Sequence, residues 1–198
     1  MPRRRTQAER SAGTTAGLLT HATAAFGADG YDRVSVDAVA EAAGLTKGAV
    51  YHHFGGKRGL FLAVYTDAHE RIAARTTAAV AAAGPTAWQR LEAGVAQFLA
   101  AVAEPHPQRI VVIDGPRVLD RATIREVENR CAAGQVRTAV TRLREAGELA
   151  EGDDTLRTRL LIGALCEAAT TIAESPAPAR TLTAARTDIT RFLTGLRA

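Results

Sequence analysis

The twenty residues from Ser35 to Phe54, SVDAVAEAAGLTKGAVYHHF, constrain this chain more than any other stretch. Val36, Val39 and Ala40, with Ala43 one turn on, recur at the spacing of one face of a 3.6-residue helix. Ser35 stands where a hydroxyl caps a first turn, and Gly44 where a left-handed residue ends a helix. Thr46 is placed to cap a second helix bearing Lys47, Tyr51, His52 and His53. Isolated helices below about 12–15 residues are marginal in water, so neither helix stands alone and both must be held by packing. Two helices joined by such a short, Gly-containing turn form the unit that sets its second helix in the major groove of DNA.

At 198 residues the chain has room for a small domain fused to a larger one. A hydrophobic content of 46% supports a real core, and 23% charge is ordinary for a soluble globular protein. Residues 1–60 carry a net charge of +3 and residues 61–198 only +1, so the excess lies with the two-helix unit, as a polyanionic partner would favour. The only lysines, Lys47 and Lys57, flank the second helix. Cys131 and Cys166 are far apart in helical patterns and read as buried, reduced thiols rather than a disulfide framework. No apolar run approaches the roughly 18 residues of a membrane span. The basic start MPRRRTQAER lacks the hydrophobic segment of a signal peptide. A cytoplasmic protein with no membrane partner is expected.

Apolar residues recur at three and four along nearly the whole chain, which predicts an all-α fold of about nine helices. Residues 1–8 read as a basic arm, and a first helix runs from about Glu9 to Gly27 with Leu18, Leu19, Ala22, Ala25 and Phe26 inward. Gly55-Gly56 separates the two-helix unit from a fourth helix that turns Leu60, Phe61, Val64, Tyr65 and Ala68 inward and stops near Gly84-Pro85. Another helix spans Trp88 to Ala103. Ile110 to Ile113 is the best strand candidate, but no partner strand exists, so a short buried helix is expected. Asp114-Gly115-Pro116 reads as a break, followed by one long helix to Gly147. Two last helices, about Asp153–Glu174 and Ala179–Leu196, carry broad apolar stripes. Leu156, Leu160, Ala164, Ala168 and Ile172 on one, with Leu182, Ile189 and Phe192 on the other, suit burial against a second copy.

Enzyme signatures are absent: there is no Gly-rich phosphate loop, HExxH, CxxC or GxSxG. No catalytic residue, cofactor or metal is expected, although His69, His106 and Cys131 form a conceivable metal set.

Phe26, Gly30-Tyr31, Ser35-Val36, Val39-Ala40, Ala43 to Gly48, Val50 to Phe54, Lys57 and Leu60 together resemble the TetR family of transcriptional regulators. The likeness is strong over residues 10–60; beyond them it rests on length, helix count and the terminal helix pair. It implies an N-terminal three-helix bundle containing the helix-turn-helix, residues 1–56, and a C-terminal helical domain for ligand binding and dimerisation, residues 57–198. By position, Lys47, Ala49 and Tyr51 would face base edges or the adjacent backbone, and Thr46, His52, His53 and Lys57 would meet phosphates. Ser35 and Val36 lie at a helix mouth, where backbone N–H groups favour a phosphate. Residue chemistry agrees: lysine donates to guanine, and an alanine methyl can touch that of thymine. Gly and Thr in the first helix and the Gly55-Gly56 pair depart from the family pattern.

The expected function is a ligand-responsive repressor. As a homodimer it would bind a palindromic double-stranded DNA operator and be released by a small organic effector. Trp88, Phe98, Ile113 and Leu119 could line an apolar effector cavity, with His106, Arg109 or Arg117 as polar anchors. The competing expectation is an effector-independent architectural or recruitment protein whose C-terminal part only dimerises.

Overall fold

The computed structural model describes residues 7–198, with side chains from residue 13 onward. The basic arm read at residues 1–8 lies outside the described residues except for Gln7 and Ala8, which begin α1 (Gln7–Asp29). Next come α2 (Val36–Ala42), α3 (Lys47–Phe54), α4 (Lys57–Ala82) and α5 (Ala87–Val102). Two further runs, α6 (105–118) and α7 (121–145), each contain a π-helical stretch, Gln108–Asp114 and Asn129–Ala133. The chain closes with α8 (Asp154–Glu174) and α9 (Pro178–Thr194). Counted as continuous runs, nine helices make up the described residues, and the only β-type pairing among them is a single antiparallel bridge between Leu149 and Arg197.

Local chemistry explains where α2 and α3 begin and end. The Ser35 Oγ accepts the Ala38 N–H at 3.0 Å, and the Thr46 Oγ1 accepts that of Ala49 at 3.3 Å, so each hydroxyl satisfies a donor with no partner inside its helix. Gly44 takes φ 68°, which lets its N–H reach the Glu41 carbonyl while the Leu45 N–H bonds that of Ala40. A side chain there would clash with its own backbone. Gly55 (φ 73°) and Gly56 (φ 122°) make the corresponding joint between α3 and α4.

The first core joins α1, α2 and α3 to the front half of α4. Leu18, Phe26, Val50, Leu60 and Phe61 are fully buried there, each contributing about 1.5–3 kcal/mol by leaving water. Phe26 meets Phe61 edge-on at 5.2 Å and stacks on Tyr31 at 5.9 Å, a geometry aromatic quadrupoles favour. Ile110, Leu119 and Val127 belong to this same core, so it crosses the domain boundary drawn at residue 56. A second core joins α5, the rear of α7, α8 and α9 through Trp88, Leu99, Leu143, Leu161, Ile172 and Leu193. Ile72, Ala101, Val102 and Ala169 bridge α4, α5 and α8. The C-terminus is tied down by Ala150 N–H to Leu196 O at 3.1 Å and Ala198 N–H to Glu148 O at 3.2 Å.

Several expectations are corrected. Asp114-Gly115-Pro116 is not a break, because the helix continues to Val118. The wide π turn before Pro116 removes the clash its ring would make with an α-helical carbonyl four residues back. The stop comes at Leu119, and Asp120 caps α7 by accepting the Thr123 N–H at 2.9 Å. The run from Ile110 to Ile113 is helical, as its lack of a partner strand implied, with Ile110 alone fully buried. Cys131 is half-buried and Cys166 exposed, rather than both in the core. No described helix is long and apolar enough to cross a membrane.

Candidate functional site

α3 is anchored through Val50, fully buried in the first core. Lys47 and Tyr51, one helical turn apart, face outward with His52, and Tyr51 keeps 51% of its surface exposed. Ala49 and His53 are half-buried, and the two histidine rings meet edge-on at 5.2 Å. An exposed aromatic that folding leaves unburied, beside a lysine and a histidine, can offer donors and a ring face to a nucleic-acid groove.

The remaining expected DNA contacts are already engaged within the protein. Lys47 Nζ donates to Asp37 at 2.9 Å, and this hydrogen bond, with the charge of Asp37, raises the lysine pKa. The pair is exposed on both sides, so salt and a competing phosphate displace it readily. Lys57 Nζ donates to the Asp32 carbonyl at 3.2 Å and lies 4.5 Å from the centre of the Tyr31 ring. That cation–π contact offsets the unfavourable placement of a cation at a helix start without any bound anion. The Ser35 and Thr46 hydroxyls are held as caps. The Val36 side chain is buried, so it can present only backbone to a ligand.

A cavity of about 130 Å³ opens between α4, α5, α7 and α8. Leu91, Val95, Phe98, Val136 and Leu165 form much of its apolar wall, and His69, Glu128, Gln135 and Cys166 supply polar groups. The π-helical Asn129–Ala133 stretch contributes three of its residues to the lining, and such turns recur at functional sites. His69 is buried against the Tyr65 ring at 4.6 Å, and its Nε2 has no hydrogen-bond partner. Burial lowers its pKa to about 4, so the ring is neutral at physiological pH. Burial likewise raises the Glu128 carboxyl, against the pull of Arg125. Burial, then the nearby Glu128 charge, pushes the Tyr65 hydroxyl above its ordinary range.

Of the seven residues expected to line the cavity, only Phe98 does. Trp88 is buried in the second core, where its Nε1 donates to Glu92 at 2.9 Å and the Arg197 guanidinium covers its ring. Leu119 belongs to the first core, and Ile113 is partly buried outside the cavity lining. His106 is exposed near α1, where the Cβ of any larger residue at Gly27 would touch it. Arg109 and Arg117 serve Asp114 instead. The Asp114 carboxylate, almost fully buried, accepts the Tyr31 N–H at 2.8 Å and Arg109 Nε at 3.1 Å. Arg117 lies 3.8 Å from it and pairs with Asp32 at 3.4 Å. These contacts fasten α6 to the turn behind α1. Among the described residues no three His, Cys, Asp or Glu side chains are placed to hold a metal, so His69, His106 and Cys131 do not converge.

The expected pairing face is also redrawn. Leu156 and Leu160 of α8 and Phe192 of α9 are more than half exposed, whereas Ile172 and Ile189 are buried in the protomer's own core. Fourfold spacing gains about 40° per step on an α-helix, so a stripe that faces outward at Leu156 has turned inward by Ile172. Ala164, Ala168 and Leu182 are half-buried between these extremes. The Leu149–Arg197 bridge places the start of α8 beside the end of α9, which brings Leu156, Leu160 and Phe192 to one end of the helix pair.

The missed cavity residue with a visible signal is His69. It continues the inward stripe Phe61, Tyr65, Ala68 and Ile72, where a lone polar residue should have stood out. Gln135 and Glu128 carried no such signal.

Comparison with known proteins matches residues 18–64 to the family described as bacterial regulatory proteins, tetR family. Residues 88–196 match the tetracyclin repressor-like C-terminal domain. The transcriptional regulator CymR of Pseudomonas putida is 38% identical over 84 residues, 42% of this chain and 41% of that protein. A solved TetR-family transcriptional regulator from Pectobacterium atrosepticum superposes with a TM-score of 0.84 at 30% identity, covering 98% of each chain. RolR, solved in complex with resorcinol, shares the fold with a TM-score of 0.71 at 19% identity, over 94% of this chain and 90% of its own. The chain belongs to the TetR family and is a DNA-binding transcriptional regulator.

Proposed function

We propose that this protein is a ligand-responsive repressor that binds an inverted-repeat operator as a homodimer and leaves it when a small organic molecule enters the cavity. The observation that carries the reading is the two-sidedness of α3, with Val50 locked into the core and Lys47, Tyr51 and His52 left outside. Residues 1–56 supply the DNA-reading unit, and residues 57–198 the cavity and pairing face. In the dimer Leu156, Leu160 and Phe192 are buried against their copies. The two α3 helices then lie about 34–36 Å apart, one turn of the duplex. Lys47 exchanges Asp37 for DNA, Tyr51 meets the nucleotides, and His52 and His53 approach phosphates. Ser35, Val36, Thr46, Ala49 and Lys57 flank this contact. Ligand in the cavity favours a dimer whose α3 helices no longer match that spacing, through its differential affinity for the two states. RolR shows that this fold can hold a small aromatic molecule.

Selection of bound sequences from random duplexes tests the reading. An inverted repeat is expected, and binding to it should be lost in the Lys47→Ala, Tyr51→Ala double variant. Enrichment of no sequence, or unchanged binding by the double variant at moderate salt, would overturn it.

A further inference from the structure

Resting on the reading of the cavity as an effector site, we propose that its ligand is a single-ring-sized, mainly apolar molecule whose polar head donates hydrogen bonds and bears no negative charge. Size comes first. The cavity holds about 130 Å³, and an engineered apolar cavity of about 150 Å³ takes up one benzene. A single ring fills such a space, and two fused rings do not.

The polar groups decide the head. Gln135 already donates its amide nitrogen to the Ala73 carbonyl and the Thr77 hydroxyl, both at 2.8 Å, so only its carbonyl oxygen remains to offer. Glu128 is half-buried, feels the charge of Arg125, and as a carboxylate only accepts. His69, neutral in this setting, carries one donating and one accepting nitrogen, and its buried Nε2 awaits a partner. The interior is therefore rich in acceptors, and a ligand that brings donors satisfies groups whose burial otherwise costs stability. The cavity's donors sit at its rim: Asn129 is exposed, and Arg90, half-buried, lines both the cavity and the adjoining groove. An anionic head would have to approach Glu128 across an apolar space, where like charges repel strongly.

Calorimetric titration of the full-length protein with benzylamine, benzyl alcohol and benzoate tests this with the ring held constant. Benzylamine and benzyl alcohol are expected to bind at least about tenfold more tightly than benzoate. In Glu128→Gln the preference for benzylamine over benzoate should fall about tenfold, with circular dichroism showing the fold intact. Filling the site with His69→Phe should weaken the amine and the alcohol together. The proposal is overturned if benzoate binds as well as benzylamine, if 2-naphthol binds better than either single-ring donor, if none of the probes binds, or if Glu128→Gln leaves the preference unchanged. Operator release is measured separately. Binding of the donors without release leaves the ligand class standing and removes the switch.

Discussion

Asp114 offers the sharpest test of how the DNA-reading end is fastened to the rest of the molecule. Its carboxylate is almost fully buried and receives the Tyr31 N–H at 2.8 Å and Arg109 Nε at 3.1 Å. In Asp114→Ala both donors lose their acceptor. Removing one partner of a buried charged pair costs about 3–5 kcal/mol. Arg109 keeps about a third of its side chain in water and can rehydrate, which reduces the expected loss to about 2–3 kcal/mol. For a chain of this length that lowers Tm by about 4–12 °C. Asp114→Asn keeps an acceptor for Tyr31 but loses the charge that holds Arg109, so about half the loss should return. Urea unfolding followed by circular dichroism and Trp88 fluorescence measures both. If the alanine variant falls within about 0.5 kcal/mol of the parent, the joint is not a stabilising contact. An asparagine variant as unstable as alanine would show that the peptide N–H contributes nothing.

His69 ties stability to pH. Its folded pKa of about 4 lies below its ordinary 6.5, so the unfolded chain takes up the proton first. The contribution is complete above about pH 6.5 and is lost as pH falls toward 4, amounting to about 3 kcal/mol there; His69→Phe should flatten this part of the stability profile relative to the parent, and parallel profiles would refute it. Replacing a cation that neutralises one phosphate lowers the slope of log affinity against log salt by about 0.9. Lys47→Ala, whose exposed pair with Asp37 gives way to a phosphate, should show that drop at the selected operator, while Lys57→Ala, whose ammonium is held by Asp32 and Tyr31, should show less; equal drops would refute the distinction. Leu160→Arg combined with Phe192→Arg should convert the dimer to monomer in sedimentation while leaving circular dichroism unchanged, since both side chains are more than half exposed in one copy. An intact dimer would place the pairing face elsewhere.

What could be read in advance was local. Ser35, Gly44 and Thr46 act within four residues of themselves, so their caps and turn follow from neighbours in sequence. The inward faces of α1 and α4 followed from spacing alone, because one helix face suffices to define them. The cavity was illegible because four helices must converge before it exists, and Phe98 shares its wall with residues as distant as His69 and Leu165. Arg109 and Arg117 looked like ligand anchors only while their true partners, Asp114 and Asp32, were out of view. The α8 stripe failed for a geometric reason: regular fourfold spacing winds around a helix, and its two ends face different surroundings.

The wide turn at Asn129–Ala133 holds one residue more than an α-helical turn would need, in effect an insertion accommodated without breaking α7. Deleting a single residue there would restore ordinary winding and let the faces downstream keep their direction, so Gln135, Val136 and Ala139 would stay on the cavity and Val140 and Leu143 in the second core. The same deletion a turn later, where α7 winds as an ordinary α-helix, would rotate everything beyond it by about 100°. Within α7 the wide turn is thus a place where length can change without rebuilding half the domain.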